Sequence, residues 1–198
     1  MYGYLKPLAF ATAIALAAPA LAEETTEPAN DTVGAGVLDL GQPADGPQLG
    51  QRYSKQQYGD WDLACIKTEA ETDPCSLFQV MMDEQGNPLA EISLFRLENS
   101  GPAVAGATVV VPLETLLQAQ LTLSVDGGAG KRYHYAFCNQ VGCVSQIGLT
   151  AQDIESFKKG GQATVTIVPA LAPDQKVSAT MSLIGFTDGY DAVDVVQN

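Results

Sequence analysis

The sequence predicts an all-β protein, a β-sandwich with one or two short helices and two hairpin disulfides. From Asp60 onward, short runs of alternating polar and apolar residues recur, which is typical of strands with one buried face. Four cysteines fall as two pairs within predicted hairpins. An export signal at the start of the chain takes these cysteines to an oxidising compartment, where disulfides form.

Residues 1–22 have the three parts of a cleavable signal peptide. A weakly positive start ending at Lys6 is followed by an apolar run, and Ala20-Leu21-Ala22 supplies the small-x-small cleavage pattern. The apolar run is about 11 residues long, short of the roughly 20 that a membrane-spanning helix needs. We therefore expect an exported chain with no membrane span.

Three further segments complete the predicted organisation. Residues 23–52 are rich in Glu, Thr, Pro, Asp and Gly and contain no aromatic residue, which predicts an acidic disordered spacer. Within it, Val37–Leu40 is a small apolar cluster and a candidate for a short edge strand. Residues 53–190 are predicted to form the folded domain, and residues 191–198 a C-terminal tail.

The charge of the chain limits its partners. The formal net charge is −13, and loss of the signal peptide removes one positive charge, Lys6, which leaves −14. Such acidity disfavours nucleic acid and anionic lipid, because either would meet like charge at close range. Solubility and a cationic partner are both consistent with it.

The four cysteines allow three disulfide connectivities. Cys65 and Cys75 lie in two strand-like runs joined by a polar loop, and Cys138 and Cys143 flank a short turn with a glycine. Opposed hairpin positions already lie near the Cα separation of a disulfide, so we predict Cys65–Cys75 and Cys138–Cys143. The spacings lack the C-x-x-C of thiol oxidoreductases, and export favours disulfides over zinc.

Further strands are predicted at short intervals along the domain: Leu89–Leu97, Thr108–Val111, Leu121–Asp126, Arg132–Cys138, Ala163–Val168 and Lys176–Ile184. One helix interrupts this series, with Thr150 as N-cap, Asp153 at the third helical position, and Gly160 as the stop. Residues 112–118 are a candidate for a second brief helix. Many short strands with one or two small helices are typical of a β-sandwich.

An aromatic stripe is the first candidate functional surface. Tyr133, Tyr135 and Phe137 alternate along the predicted strand and would share one face. Such a stripe is either core or a binding surface, and the large apolar area of aromatic side chains favours core. As a binding surface it would contact a protein partner or line a pocket for a small ligand.

A pair of carboxylates is the second candidate. Asp60 and Asp62 flank Trp61, and we predict that Trp61 points inward while the acids form a solvated edge. A carboxylate-based hydrolase would have to use these two residues or Asp126. The single histidine, His134, has no nucleophile motif near it, and no metal or phosphate-binding signature is present. The sequence therefore predicts no catalytic residue, cofactor or metal ligand.

Several segments, taken in order and spacing, resemble the invasion-associated locus B family: Gly59–Cys65, Cys75–Gln79, Pro112–Leu113, Leu123–Gly127, Cys138–Cys143, Asp153–Lys159 and Ser182–Phe186. The resemblance covers residues 56 to 190. It implies an immunoglobulin-like β-sandwich and export in a Gram-negative, mainly alphaproteobacterial, cell. The family takes its name from a role in host-cell invasion and is also common in free-living bacteria.

Export, a disulfide-stapled sandwich and the absence of catalytic motifs favour a non-enzymatic protein-interaction module. We expect it in the periplasm, associated with the outer membrane, or secreted, with an unidentified envelope or host protein as partner. Two alternatives stay open, a periplasmic small-ligand carrier and the carboxylate-based hydrolase.

Overall fold

The computed structural model describes residues 46–98 and 101–197, all within one compact unit. The predicted signal peptide, the predicted spacer as far as residue 45 and the apolar cluster Val37–Leu40 lie outside the described residues. No helix in the described ranges has the length and apolar character needed to cross a membrane.

The described chain is built mainly of strands. The first six are β1 Arg52–Tyr58, β2 Trp61–Ile66, β3 Cys75–Met82, β4 Pro88–Glu98, β5 Ala103–Val111 and β6 Leu121–Val125. The other strands are β7 Lys131–Tyr133, β8 Phe137–Cys138, β9 Cys143–Thr150, β10 Gln162–Ile167, β11 Val177–Ser182 and β12 Val195–Gln197. The helices are α1 Ala151–Lys159 and α2 Phe186–Ala192, with a 3₁₀ turn at Leu117–Ala119.

The strands form one curled, almost entirely antiparallel sheet in the order β7-β6-β10-β11-β3-β4-β5-β9-β8. β3 pairs with β4 along one edge and with two strands along the other. On that other edge, β2 pairs with the first half of β3 and β11 pairs with the last residue of β3. β1 pairs in turn with β2. The two outermost strands, β7 and β8, are consecutive in the chain and separated by residues 134–136. The sheet therefore curls until its two ends, β7 and β8, meet, and we call this meeting place the seam. This architecture confirms the predicted all-β, sandwich-like fold.

An aromatic cluster joins the sheet to both helices. The ring of Phe186, fully buried in α2, lies 5.5 Å from Trp61 of β2, 5.4 Å from Phe157 of α1 and 5.7 Å from Tyr190. The first two pairs have the edge-to-face geometry that aromatic rings prefer. Trp61 points inward, as predicted, and this cluster fixes the two helices on the sheet.

The helix α1 begins as the sequence predicts. The Asp153 amide donates to Thr150 Oγ1 at 3.3 Å, and the Thr150 amide donates to Asp153 Oδ2 at 2.9 Å, which completes a capping box. Ile154 and Phe157 face the core, and the helix ends before Gly160.

The predicted strand Arg132–Cys138 is wrong, because this stretch contains two strands at opposite ends of the sheet. β7 pairs with β6, whereas β8 pairs with β9. Between them, the Ala136 amide donates to Val144 O and Ser145 Oγ donates to the carbonyl of His134. The stretch therefore crosses the seam of the sheet instead of running along one edge.

The ends of the domain also differ from the prediction. β1 begins at Arg52, and the Gly50 amide in the preceding turn donates a hydrogen bond to the carbonyl of Lys67, the residue that follows β2. Within the predicted tail, residues 191–192 complete α2 and residues 195–197 form β12, which pairs in parallel with β4. The predicted helix at 112–118 is replaced by the 3₁₀ turn Leu117–Ala119.

The structure contains both predicted disulfides. Cys65 and Cys75 are direct cross-strand partners in β2 and β3, and Cys138 and Cys143 are partners in β8 and β9. Each pair has a Cα separation of 4.0 Å. The second disulfide holds β8 at the seam where the sheet closes.

Replacing both Cys138 and Cys143 by alanine is expected to lower the free energy of unfolding by about 2 kcal/mol, because the unfolded chain loses a short closed loop. Urea denaturation of the oxidised proteins measures this difference. Reducing agent is the control: it should destabilise the parent more than the variant, since the variant retains one disulfide. Equal stability of parent and variant would contradict the assigned role.

The loop between β2 and β3 is organised around Asp73, whose side chain is 9% exposed. Its carboxylate accepts hydrogen bonds from the Thr68 amide at 2.8 Å, Tyr53 Oη at 2.8 Å and Lys67 Nζ at 3.2 Å. These bonds, led by that of the Thr68 amide, lower the pKa of Asp73 from 3.8 to about 2.

Asp73 should therefore stabilise the fold in a pH-dependent way. Because the pKa is lower in the folded state, the stabilisation is complete above the unfolded value of about 4 and is lost as the pH falls towards 2. Asp73→Asn is expected to be less stable than the parent at pH 6, with the difference disappearing near pH 2. Urea denaturation across this range tests it, and a difference independent of pH would contradict it. Tyr53→Phe removes one donor to Asp73, so the pKa of Asp73 should fall less far. The variant should therefore lose stability at a higher pH than the parent.

Candidate functional site

A buried glutamine fills the fork where β2 and β11 separate along β3. Gln79, 7% exposed, donates through Nε2 to Asp60 O at 3.0 Å and to Ser182 O at 3.1 Å. Its Oε1 accepts the Ser182 amide at 2.8 Å. The side chain thus satisfies backbone groups that lose their ladder partners where the two strands diverge.

Around this fork, the segments Gly59–Trp61 and Ser182–Phe186 lie against each other. Trp61 Nε1 donates to Ser182 O at 2.9 Å, and the Asp60 amide donates to Ile184 O at 3.1 Å. Ser182 Oγ donates to Asp60 Oδ2 at 2.6 Å. The contact is so close that a Cβ on Gly185 would overlap the carbonyl oxygen of Tyr58. The first and last motifs of the sequence resemblance therefore form one structural junction.

The candidate carboxylates each have structural partners. Asp60 accepts from Ser182 Oγ, and Asp62 accepts from Ser54 Oγ at 3.1 Å. Asp126 accepts the backbone amides at positions 161 and 162, at 3.0 to 3.2 Å. Across the described ranges, no group of three or more His, Cys, Asp or Glu side chains is arranged to hold a metal ion. The structure thus gives these acids roles in holding chain segments together.

The aromatic stripe does not exist as one surface, since its three residues fall on both sides of the seam. Tyr133 and Tyr135 are half-buried against the core, whereas Phe137 is 50% exposed. Burial raises the pKa of Tyr135 to about 12, and its hydroxyl is buried without a hydrogen-bond partner among the described residues. His134, between the two tyrosines, is exposed and lies 2.9 Å from Gln120 Nε2.

A cleft of about 300 Å³ lies between the β6–β7 hairpin and α1. Tyr133 lines it, beside an apolar floor that includes Leu123 and Phe157. Lys131 Nζ lies 2.6 Å from Asp153 Oδ1 within the same lining. Partial burial would raise the pKa of Asp153, but hydrogen bonds from Lys131 and Thr150 hold it below its ordinary value. The two charged groups of the cleft therefore satisfy each other.

A second concave surface lies on the outer face of the sheet. We call it the outer groove and define it by the residues that line it, which are Val80, Pro88, Leu89, Ala90, Glu91, Val110, Val111, Pro112 and Val141. Its volume is about 340 Å³. Val80 and Val141 are 38% and 76% exposed, and the neighbouring Met82 is 44% exposed. One sequence signal could have indicated it, since residues 77–82 are apolar at most positions and not only at alternate ones.

Comparisons with known proteins identify the family of the chain. The family model described as invasion associated locus B (IalB) protein matches residues 61–194. The chain belongs to this family. The matched range starts at Trp61 and includes Phe186, so both ends of the aromatic cluster lie within the IalB region. A comparison with curated proteins finds no match.

A solved structure supports the same fold. The chain resembles the crystal structure of invasion associated protein b from Bartonella henselae, with a TM-score of 0.56 and 20% sequence identity. The aligned region covers 67% of this chain and 89% of the Bartonella chain. At this identity the likeness establishes the shared IalB fold alone.

Proposed function

We propose that this IalB family member is an exported, non-enzymatic protein of the Gram-negative envelope that binds another protein. One observation carries the proposal: apolar side chains are exposed together around the outer groove, and clustered apolar surface is typical of protein-interaction sites. The two disulfides are typical of proteins that function outside the cytoplasm. We place the protein in the periplasm, at the outer membrane, or outside the cell.

The biological role depends on whether the partner is a host-cell protein or a protein of the bacterial envelope. In a pathogen, the name of the Bartonella relative suggests a host-cell protein and a role in invasion. In a free-living bacterium, the partner is another envelope protein. The same binding surface serves both cases.

Crosslinking in living cells tests this proposal. The full chain, with an affinity tag after its last residue, is crosslinked with formaldehyde in intact cells and purified under denaturing conditions. We expect a reproducible adduct with one protein, absent from cells that export an unrelated tagged domain. Repeated recovery of the chain without an adduct, together with turnover of a small substrate by the purified protein, would contradict the proposal.

A small-ligand carrier is the second candidate function, and the cleft lined by Tyr133 favours it. Native mass spectrometry of protein purified gently from cells would then show an added mass in the parent. Tyr133→Ala should reduce that added mass, whereas Phe137→Ala, which lies outside the cleft, should not.

A further inference from the structure

We propose that the outer groove binds an extended basic and apolar segment of a partner protein, with a lysine or arginine side chain placed at Glu91. The proposal rests on the proposed function and adds to it a surface and a partner chemistry. Three features of the groove support the proposal: its apolar walls, a Glu91 carboxylate without a partner among the described residues, and the negative charge of the chain.

The apolar walls come from three neighbouring strands and one turn. Val80 of β3 and Val110 of β5 stand on either side of β4, and Leu89 of β4 lies close by. The turn between β8 and β9 brings Val141 to the end of the groove. Burial of such side chains by a partner is favourable at about 25 cal/mol per Å² of apolar surface.

Glu91 is a partly buried residue that lies within this apolar surface. It is the direct cross-strand partner of Val80 on one side and of Val110 on the other, so all three side chains lie on the same face. The carboxylate makes no hydrogen bond or ion pair with any residue that the structure describes. Such a carboxylate can accept charge-assisted hydrogen bonds from a cationic side chain of a partner.

The surroundings of the groove select for positive charge. Its described lining contains no lysine or arginine. Glu114 is exposed and lies two residues after the groove residue Pro112. Asp83 and Glu84 lie in the turn after β3, where they line a separate pocket together with Lys176. With a net charge of −14 after loss of the signal peptide, the chain repels a second copy of itself and attracts a basic segment. Lysine and arginine also suit the walls, since their aliphatic stems pack on apolar surface while the charge reaches Glu91.

A labelled probe peptide tests the proposal in solution. The probe is a fluorescein-labelled nonapeptide of alternating leucine and lysine, and two matched peptides replace every lysine by glutamate or every leucine by serine. Fluorescence anisotropy with the oxidised chain, without its signal peptide, should show binding of the leucine–lysine peptide. Each matched peptide should bind at least about fivefold more weakly.

Two pairs of variants locate the binding site. Glu91→Gln should weaken binding about fivefold, whereas Glu155→Gln, on the exposed face of α1, should not. Val141→Ser, which removes apolar contact without adding charge, should also weaken binding, whereas Leu171→Ser, at a residue that is 85% exposed and outside the groove, should not. Thermal unfolding checks that all four variants are folded. Equal binding by Glu91→Gln, Val141→Ser and the parent would overturn the proposal.

Site-specific photocrosslinking in cells separates this inference from the proposed function. A photoreactive phenylalanine at position 141 should give the adduct that formaldehyde captures, and the same group at position 171 should not. Whole-chain crosslinking that succeeds while position 141 gives nothing would overturn the outer groove as the site and leave the proposed function standing. An adduct at 141 with a second copy, or with residues 23–45 of the same chain, would also overturn it.

Discussion

Gly185→Ala is expected to lower the free energy of unfolding by about 4 kcal/mol or to prevent folding altogether. Gly185 has φ +83°, in the left-handed region, and a Cβ there would overlap the backbone carbonyl of Tyr58. Because the obstacle is backbone, no side-chain rotation relieves it. The junction between the segments before Trp61 and after Ser182 would have to open. Urea denaturation monitored by tryptophan fluorescence measures the loss, since Trp61 is the only tryptophan and lies in this junction.

Gly86→Ala is the matched control. Gly86 has φ +80°, almost the same as Gly185, but a Cβ there would meet nothing within 4 Å. It should show only the cost of placing a side chain in the left-handed region, about 1 kcal/mol. The difference between the two variants therefore measures the close approach itself. Equal losses would mean that the junction yields easily and contradict this interpretation.

Gln79→Leu is expected to lower the free energy of unfolding by about 3 kcal/mol. Leucine has nearly the same volume, but it leaves the Ser182 amide and the Asp60 carbonyl without the hydrogen bonds that Gln79 makes. Each unsatisfied buried group costs about 1 to 3 kcal/mol. The Ser182 carbonyl keeps its bond from Trp61 Nε1, so the loss falls mainly on the other two groups.

Gln146→Leu controls for the chemical change. The side chain of Gln146 is exposed on β9 and makes no hydrogen bond with a described residue, so its replacement should change stability by no more than about 0.5 kcal/mol. Equilibrium unfolding in urea compares the two variants. Hydrogen exchange at the Ser182 amide adds a local measurement, and we expect faster exchange in Gln79→Leu alone. Unchanged exchange there would show that another group has replaced the glutamine.

The features predicted correctly from the sequence are local in the chain. Each disulfide joins cysteines close in sequence, and the capping box of Thr150 and Asp153 spans four residues. The fold class followed from alternating strands. These signals need no knowledge of distant contacts, so the residues themselves predict them.

The elements that were missed depend on distant packing. β1, with the sequence RYSKQQY, has no apolar alternation and is a strand because it pairs with β2. The helix α2 contains Gly189, and glycine is a poor helix former. The helix packs so closely on Leu77 at this position that a Cβ would come within 2.6 Å of the Leu77 side chain. The helix is therefore maintained by packing and not by helix propensity.

The outer groove was not predicted because it depends on strand register. Val80, Glu91 and Val110 are 11 and 19 residues apart in the sequence and become neighbours only when β3, β4 and β5 pair. The prediction of an aromatic stripe on one face was wrong for the same reason, since Tyr133 and Phe137 belong to strands at opposite ends of the sheet. Candidate surfaces on a sheet require the register, whereas core positions need only the alternation.

The junction of Trp61 with Ser182 has a consequence for the order of events during synthesis and folding. The hydrogen bond from Trp61 Nε1 spans 121 residues of sequence, and α2 packs its Phe186 ring on Trp61 from the far end of the domain. A chain that emerges from its N-terminus therefore exposes Trp61 long before its partners arrive. The domain can complete its core only after nearly all of it has been synthesised. Contacts of such long range also slow folding.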